Sequence, residues 1–227
     1  MAQRSLGKRL WYDFLHVACR LVGVVVFRIR VTGREHLPPA GGVLVLSNHQ
    51  SHLDPLLVGL AGDRRMNFVA RKSLFVFPPF RWLIDSLDAI SLDRDGSGFG
   101  GLKETLRRLK REEVVLLFPE GTRTRDGLLG EIKPGFCTLA RRAGVPLVPV
   151  AIDGAFEAFP RTRNYPRPAV IHIAFGPPIM PDEIALFATD EDLLAEVQRR
   201  MAACHEKTRC TRNAVTNQDG VSRVQRV

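Results

Sequence analysis

Two short apolar runs constrain this chain more than any other feature: residues 42–47 (Gly-Val-Leu-Val-Leu-Ser) and residues 114–118 (Val-Val-Leu-Leu-Phe). Each is too short for an ordinary helix, and neither alternates polar with apolar residues. A strand of that composition must be covered on both faces, which is the condition of a central strand in a parallel sheet. Other segments fit the same plan. Residues 67–70, 89–92, 146–152 and 169–175 read as strands, residues 54–60 as the start of a helix, and residues 135–143 as a helix. Residues 25–32 alternate apolar side chains with Arg28 and Arg30, the pattern of a half-buried strand. Leu102, Leu106 and Leu109 mark an amphipathic helix ending near Arg111. Leu193, Leu194, Val197, Met201 and Cys204 mark a final helix, opened by the capping-box-like Thr189-x-x-Asp192. This alternation predicts an α/β domain over residues 31–210, a layered, mostly parallel sheet flanked by helices. Residues 211–227 lack an apolar period and are expected to be a disordered tail.

Two of the strands end in reactive side chains. Ser47-Asn48-His49-Gln50-Ser51-His52-Leu53-Asp54-Pro55 supplies an imidazole and a carboxylate five positions apart. Phe118-Pro119-Glu120-Gly121-Thr122-Arg123 supplies a carboxylate, a flexible glycine, a hydroxyl and a guanidinium. The first reads as a proton-handling device and the second as an anion clamp. Arg123 has a planar fork that matches phosphate oxygens, and Gly121 permits close backbone approach. Glu120 would repel a phosphate, so a hydroxyl or an arginine is its expected contact. Together the two runs point to an enzyme that activates a hydroxyl on a phosphate-bearing substrate.

The pairing resembles the glycerophospholipid acyltransferase family, whose best-known members are the 1-acyl-glycerol-3-phosphate acyltransferases. Its Asn-His-x-Ser-x-x-Asp block is met by Asn48, His49, Ser51 and Asp54, and its Phe-Pro-Glu-Gly-Thr-Arg block by residues 118–123. A block with an arginine after a short strand is met by Ile90-Ser91-Leu92-Asp93-Arg94, and a Val-Pro-x-Val-Pro-Val strand by residues 145–150. The likeness runs from Val31 to Phe175. It implies that Arg94 is a second anion ligand, and Lys133, in Lys133-Pro134-Gly135, resembles a further one. Arg81 and Asp88 stand where members often carry glycine, and these bulkier, charged residues are expected to reshape the acyl groove.

An alcohol is a poor acid, so acyl transfer to it gains roughly 10²–10⁴ in rate from a positioned base. Histidine is mostly neutral and basic at pH 7, and a carboxylate on Nδ1 fixes its tautomer and stabilises the imidazolium. His49 is the expected base and Asp54 its orienter. No Gly-x-Ser-x-Gly elbow and no nearby cysteine offers a nucleophile, so the expected reaction is one-step transfer from acyl-CoA or an acyl carrier protein thioester. It requires no cofactor and no metal. His49-x-x-His52-x-Asp54 resembles a metal site only superficially, because no second cluster supplies ligands; His52 reads as solvated or substrate-lining. The acceptor is expected to be lysophosphatidic acid, with another lyso-lipid such as a lyso-ornithine lipid as the alternative. A metal-dependent lipid phosphatase or hydrolase and a silent lipid-binding module are the rival readings.

The net charge of +9 is concentrated at the ends. Residues 1–30 carry six basic residues against Asp13 alone, residues 203–227 carry five against two, and the body is nearly neutral. A nucleic-acid reader more often carries its basic stripe on the folded domain, whereas basic ends suit an anionic membrane surface. Arg9, Asp13, His16 and Arg20 form one polar stripe of a helix, with Leu10, Trp11, Phe14, Leu15, Val17, Leu21 and Val22 around it. Residues 1–30 are therefore expected to hold an amphipathic helix in the membrane interface, with the protein peripheral on the cytoplasmic face. Residues 74–83, apolar but broken by Pro78 and Pro79, read as a loop lining either an acyl-chain groove or the core. Cys19, Cys137, Cys204 and Cys210 have no paired spacing and read as reduced thiols.

Overall fold

A computed structural model describes residues 26–71, 90–92 and 99–224. Its elements follow the chain as β1 (Arg30–Thr32), a 3-10 turn (Arg34–His36), β2 (Val43–Ser47), α1 (Asp54–Ala61), β3 (Met66–Arg71) and β4 (Ile90–Leu92). Then come α2 (Phe99–Leu109), β5 (Val114–Leu117), α3 (Gly135–Ala143), β6 (Leu147–Asp153) and α4 (Ala155–Ala158). Last are β7 (His172–Phe175), α5 (Pro181–Leu186) and α6 (Asp190–Val224). The seven strands form one sheet in the order β1-β7-β6-β2-β5-β3-β4. Every neighbouring pair is parallel except β6 and β7.

The apolar runs lie where their composition requires. β2 and β5 are central strands, and alternation along β2 divides the core in two. Val43 and Val45 join Val114, Leu116, Val148, Val150 and Ile152 on one face, covered by Leu57, Val58 and Ala61 of α1. Leu44 and Leu46 join Val115 and Leu147 on the other, covered by Phe136 and Leu139 of α3 and by Leu193, Val197 and Met201 of α6. Each fully buried Val or Leu contributes about 1.5–3 kcal/mol. This is the α/β layered, mostly parallel sheet expected.

Two expectations need correction. The strand expected over residues 25–32 is confined to Arg30–Thr32, because Arg28 takes a positive φ of 41° and breaks the run. The disordered tail expected from residue 211 is instead a continuation of α6 through Val224. Its apolar period does lapse, but charge takes over: Arg212 pairs with Asp153 and, at 2.9 Å, with Glu157. The N-terminal amphipathic helix, the loop at residues 74–83, Arg81, Asp88 and Arg94 lie outside the described residues.

Register positions the chemistry. Leu46 of β2 is opposite Leu117 of β5, and Ser47 is opposite Val150 of β6. The segments leaving β2, β5 and β6 therefore emerge side by side at one edge of the sheet, the carboxyl ends of parallel strands where α/β folds place their sites. Among the described residues, no helix is long and apolar enough to cross a membrane.

Candidate active site

The turn from β2 into α1 begins with Asn48, whose buried amide acts as a piece of strand. Its Nδ2 donates to the Ile152 carbonyl at 2.9 Å, and its Oδ1 accepts from the Ile152 amide at 2.7 Å. His49 follows with its side chain only partly exposed. Pro55 at the first turn of α1 and the fully buried Asp54 close the bend.

Asp54 organises the loop through one oxygen. Oδ2 lies 2.7 Å from His49 Nδ1 and accepts the amides of Gln50 at 2.6 Å and Ser51 at 2.7 Å. A carboxylate is acceptor-only, so Nδ1 carries the proton and donates it, leaving the Nε2 lone pair as the basic site. The imidazole is further held by stacking on Phe118, ring centroids 4.1 Å apart and 20° from parallel. Phe118 belongs to the second motif, so one loop supports the other's base.

The backbone of His49 is gripped from both sides by that same loop. Its amide donates to Glu120 Oε1 at 2.8 Å, and its carbonyl accepts the Thr124 amide at 2.8 Å. The other oxygen of Glu120, Oε2, accepts the Gly130 amide at 3.1 Å, and the side chain is buried. Burial pushes its carboxyl up to about 7; the amides of His49 and Gly130 oppose that shift, while Asp54 and Asp126 add to it. A Cβ at Gly130 would lie 2.6 Å from Oε2, so a side chain there would press on the buried carboxylate. Gly121, at φ 67°, completes the turn with its amide on the Phe118 carbonyl at 3.0 Å.

Arg123 reaches the same region. Its Nη1 contacts His52 Nε2, and the His52 ring is tilted over Phe159 with centroids 5.2 Å apart. A guanidinium has only donors, so His52 is a neutral acceptor at this contact. Burial, then Arg123, then His49 push His52 down to about 4. His52 is thus a half-buried partner of Arg123 instead of a solvated side chain. Thr122 is exposed at the turn, and Lys133 is exposed with its amide tied to the Pro119 carbonyl at 3.0 Å. Of the site residues expected from sequence, the structure brings together His49, Asp54, Glu120, Gly121, Thr122 and Arg123, with Lys133 beside them. Arg94 lies outside the described residues.

Gln50 and Ser51 were not singled out by their own chemistry, yet they anchor the loop. Gln50 Nε2 donates to the Gly127 carbonyl at 2.6 Å, its Oε1 accepts the Phe156 amide at 3.3 Å, and Ser51 Oγ donates to the Phe159 carbonyl at 2.8 Å. The only signal in the sequence is a cluster of small polar residues straight after an apolar strand, where each buried group needs a partner. Among the described residues, no three His, Cys, Asp or Glu side chains gather as a metal-binding group. Cys137, Cys204 and Cys210 are free thiols.

The family model described as Acyltransferase matches residues 28–153, which cover both loops and every strand up to β6. The chain belongs to the acyltransferase family. A chloroplastic 1-acyl-sn-glycerol-3-phosphate acyltransferase of Arabidopsis thaliana is 34% identical over 157 residues, 67% of this chain and 44% of that one. A 1-acyl-sn-glycerol-3-phosphate acyltransferase of Bacillus subtilis is 28% identical over 144 residues, 63% of this chain and 71% of that one. The chain thus spans less than half the length of the chloroplastic relative it matches. The crystal structure of the 1-acyl-sn-glycerophosphate acyltransferase of Thermotoga maritima superposes with a TM-score of 0.76 at 26% identity, covering 91% of this chain and 83% of that chain.

Proposed function

We propose that this acyltransferase moves a fatty acyl group from a thioester, acyl-CoA or acyl carrier protein, to the free hydroxyl of 1-acyl-glycerol-3-phosphate. The observation that carries the reading is the meeting of two distant loops: a buried Asp54 behind His49 Nδ1, and the Phe118–Arg123 turn against the same histidine. The likeness to proteins named for this acceptor supports the substrate class.

His49 Nε2 takes the proton of the acceptor hydroxyl as its oxygen attacks the thioester carbonyl. The tetrahedral intermediate collapses with loss of the thiolate, and the imidazolium returns the proton to it. A thiol of pKa about 8.5 leaves far more readily than an alkoxide, so no strong acid is demanded of the site. Asp54 holds the tautomer and offsets the imidazolium charge while it lasts. Arg123 takes the phosphate, with Arg94 and Lys133 as further cationic contacts. Phosphate held at a distance fixes where the hydroxyl sits, and that binding energy appears as rate. The protein works at the cytoplasmic face of an anionic membrane, where its acceptor is dissolved.

Incubating the purified chain with acyl-CoA, acyl carrier protein thioesters and a panel of lyso-lipids, read by mass spectrometry, tests the reading. Phosphatidic acid as main product supports it. Acylation confined to an acceptor without phosphate, or release of phosphate in place of transfer, overturns it.

A further inference from the structure

We propose that Arg212, on the C-terminal helix, is a positioning residue for the His49 loop. The inference rests on the acyl-transfer reading, although the strap itself is a matter of geometry. Asp153 ends β6, and residues 152–159 run alongside the catalytic turn. That short segment supplies four of the bonds that hold the residues around His49: Ile152 pairs twice with Asn48, the Phe156 amide meets Gln50, and the Phe159 carbonyl accepts from Ser51.

Arg212 grips the same segment at two points. Its guanidinium pairs with the buried Asp153 and donates to Glu157 Oε1 at 2.9 Å, spanning Gly154 between them. Its aliphatic stem lies over that glycine, since a Cβ built there would be 3.1 Å from Arg212 Cδ. The far side of the segment is tied by Arg167, whose Nε donates to the Glu157 carbonyl at 2.6 Å. A planar, two-armed cation suits this task, because it can fix two carboxylates at once where an ammonium would serve one. The chain of contact is therefore short: α6 to residues 152–159, and those to Asn48, Gln50 and Ser51 on either side of His49. Arg212 touches no reacting atom. It holds the segment that anchors the residues on either side of the base.

The test uses the full chain. Arg212→Ala is expected to lower kcat about tenfold while both KM values stay within about twofold, since displacement of the base costs chemistry and not binding. Arg212→Lys recovers part of the rate. Glu157→Gln keeps the Asp153 pair and gives a smaller loss of the same kind, which serves if Arg212→Ala yields little folded protein. Combined with Asn48→Ala, the Arg212 effect is less than multiplicative, because both changes loosen the hold of one segment. Amide exchange separates positioning from bulk stability: residues 47–54 exchange faster in the variants while β5 and α3 keep the wild-type rate. Unchanged kcat per folded molecule, unchanged exchange at residues 47–54, or exchange raised equally across the sheet overturns the proposal. If the wild-type chain acylates no lyso-lipid at all, the proposed function fails, and the exchange measurement alone decides the strap.

Discussion

At the scale of the residue, the site is an argument about two carboxylates doing different work beside one imidazole. In the proposed reaction Asp54 is the orienter. Asp54→Asn turns a donor toward Nδ1 or loses an amide contact, and kcat should fall about 10³–10⁴-fold, as when a catalytic histidine is left in the wrong tautomer. Circular dichroism should remain that of the folded protein; a rate within tenfold of wild type would remove Asp54 from the mechanism. Glu120 is the structural carboxylate, and its burial sets a pH signature. Its group ionises near 4.5 when unfolded and at about 7 when folded, so the folded state binds more protons between those values. Stability from this group is full below pH 4.5 and declines as pH rises through about 7. The decline is on the order of 3 kcal/mol. Glu120→Gln should flatten that slope in denaturant titrations across the same window, at the cost of one orphaned amide. His49 and Asp54 were legible in sequence because five positions and their chemistry suffice to pair them. The amides of His49 and Gly130 that Glu120 meets were not legible, because they are backbone groups that no side-chain pattern announces.

At the scale of the element, the loops are placed by register and kept narrow by glycine. β2, β5 and α3 stand where their apolar runs put them, α3 to the residue. The turn α4 and the short α5 were not legible, because four and six residues are too few to show a helical period. Gly130→Ala drives a methyl into Glu120 Oε2 and so presses on the support of the His49 amide. Overpacking of this kind costs about 1–3 kcal/mol. Thermal melts should show the loss, with a fall in kcat; a variant as stable and as fast as wild type would mean that Glu120 can move away freely.

At the scale of the whole molecule, an almost neutral sheet domain carries its excess of basic charge toward its ends. The N-terminal end lies outside the described residues, so its membrane role is a matter of charge and pattern. The chain should co-sediment with vesicles containing anionic lipid, and binding should weaken as ionic strength shortens the screening length. Equal, salt-insensitive binding to purely zwitterionic vesicles would contradict an electrostatic attachment. The long reach of α6 was hidden from the sequence for a related reason: beyond Cys204 it is held by Arg212 on Asp153 and Glu157, contacts that cross the fold. In the proposed reaction His49 takes the acceptor's proton as the acyl group passes in one step, with no acyl-enzyme between. The most direct measurement follows free thiol and acylated lipid together, with acyl-CoA and lysophosphatidic acid, in wild type and His49→Ala. Equal amounts of thiol and phosphatidic acid from wild type, and neither from folded His49→Ala, are expected. Substantial transfer by His49→Ala, or thiol released without acylated lipid, would contradict it.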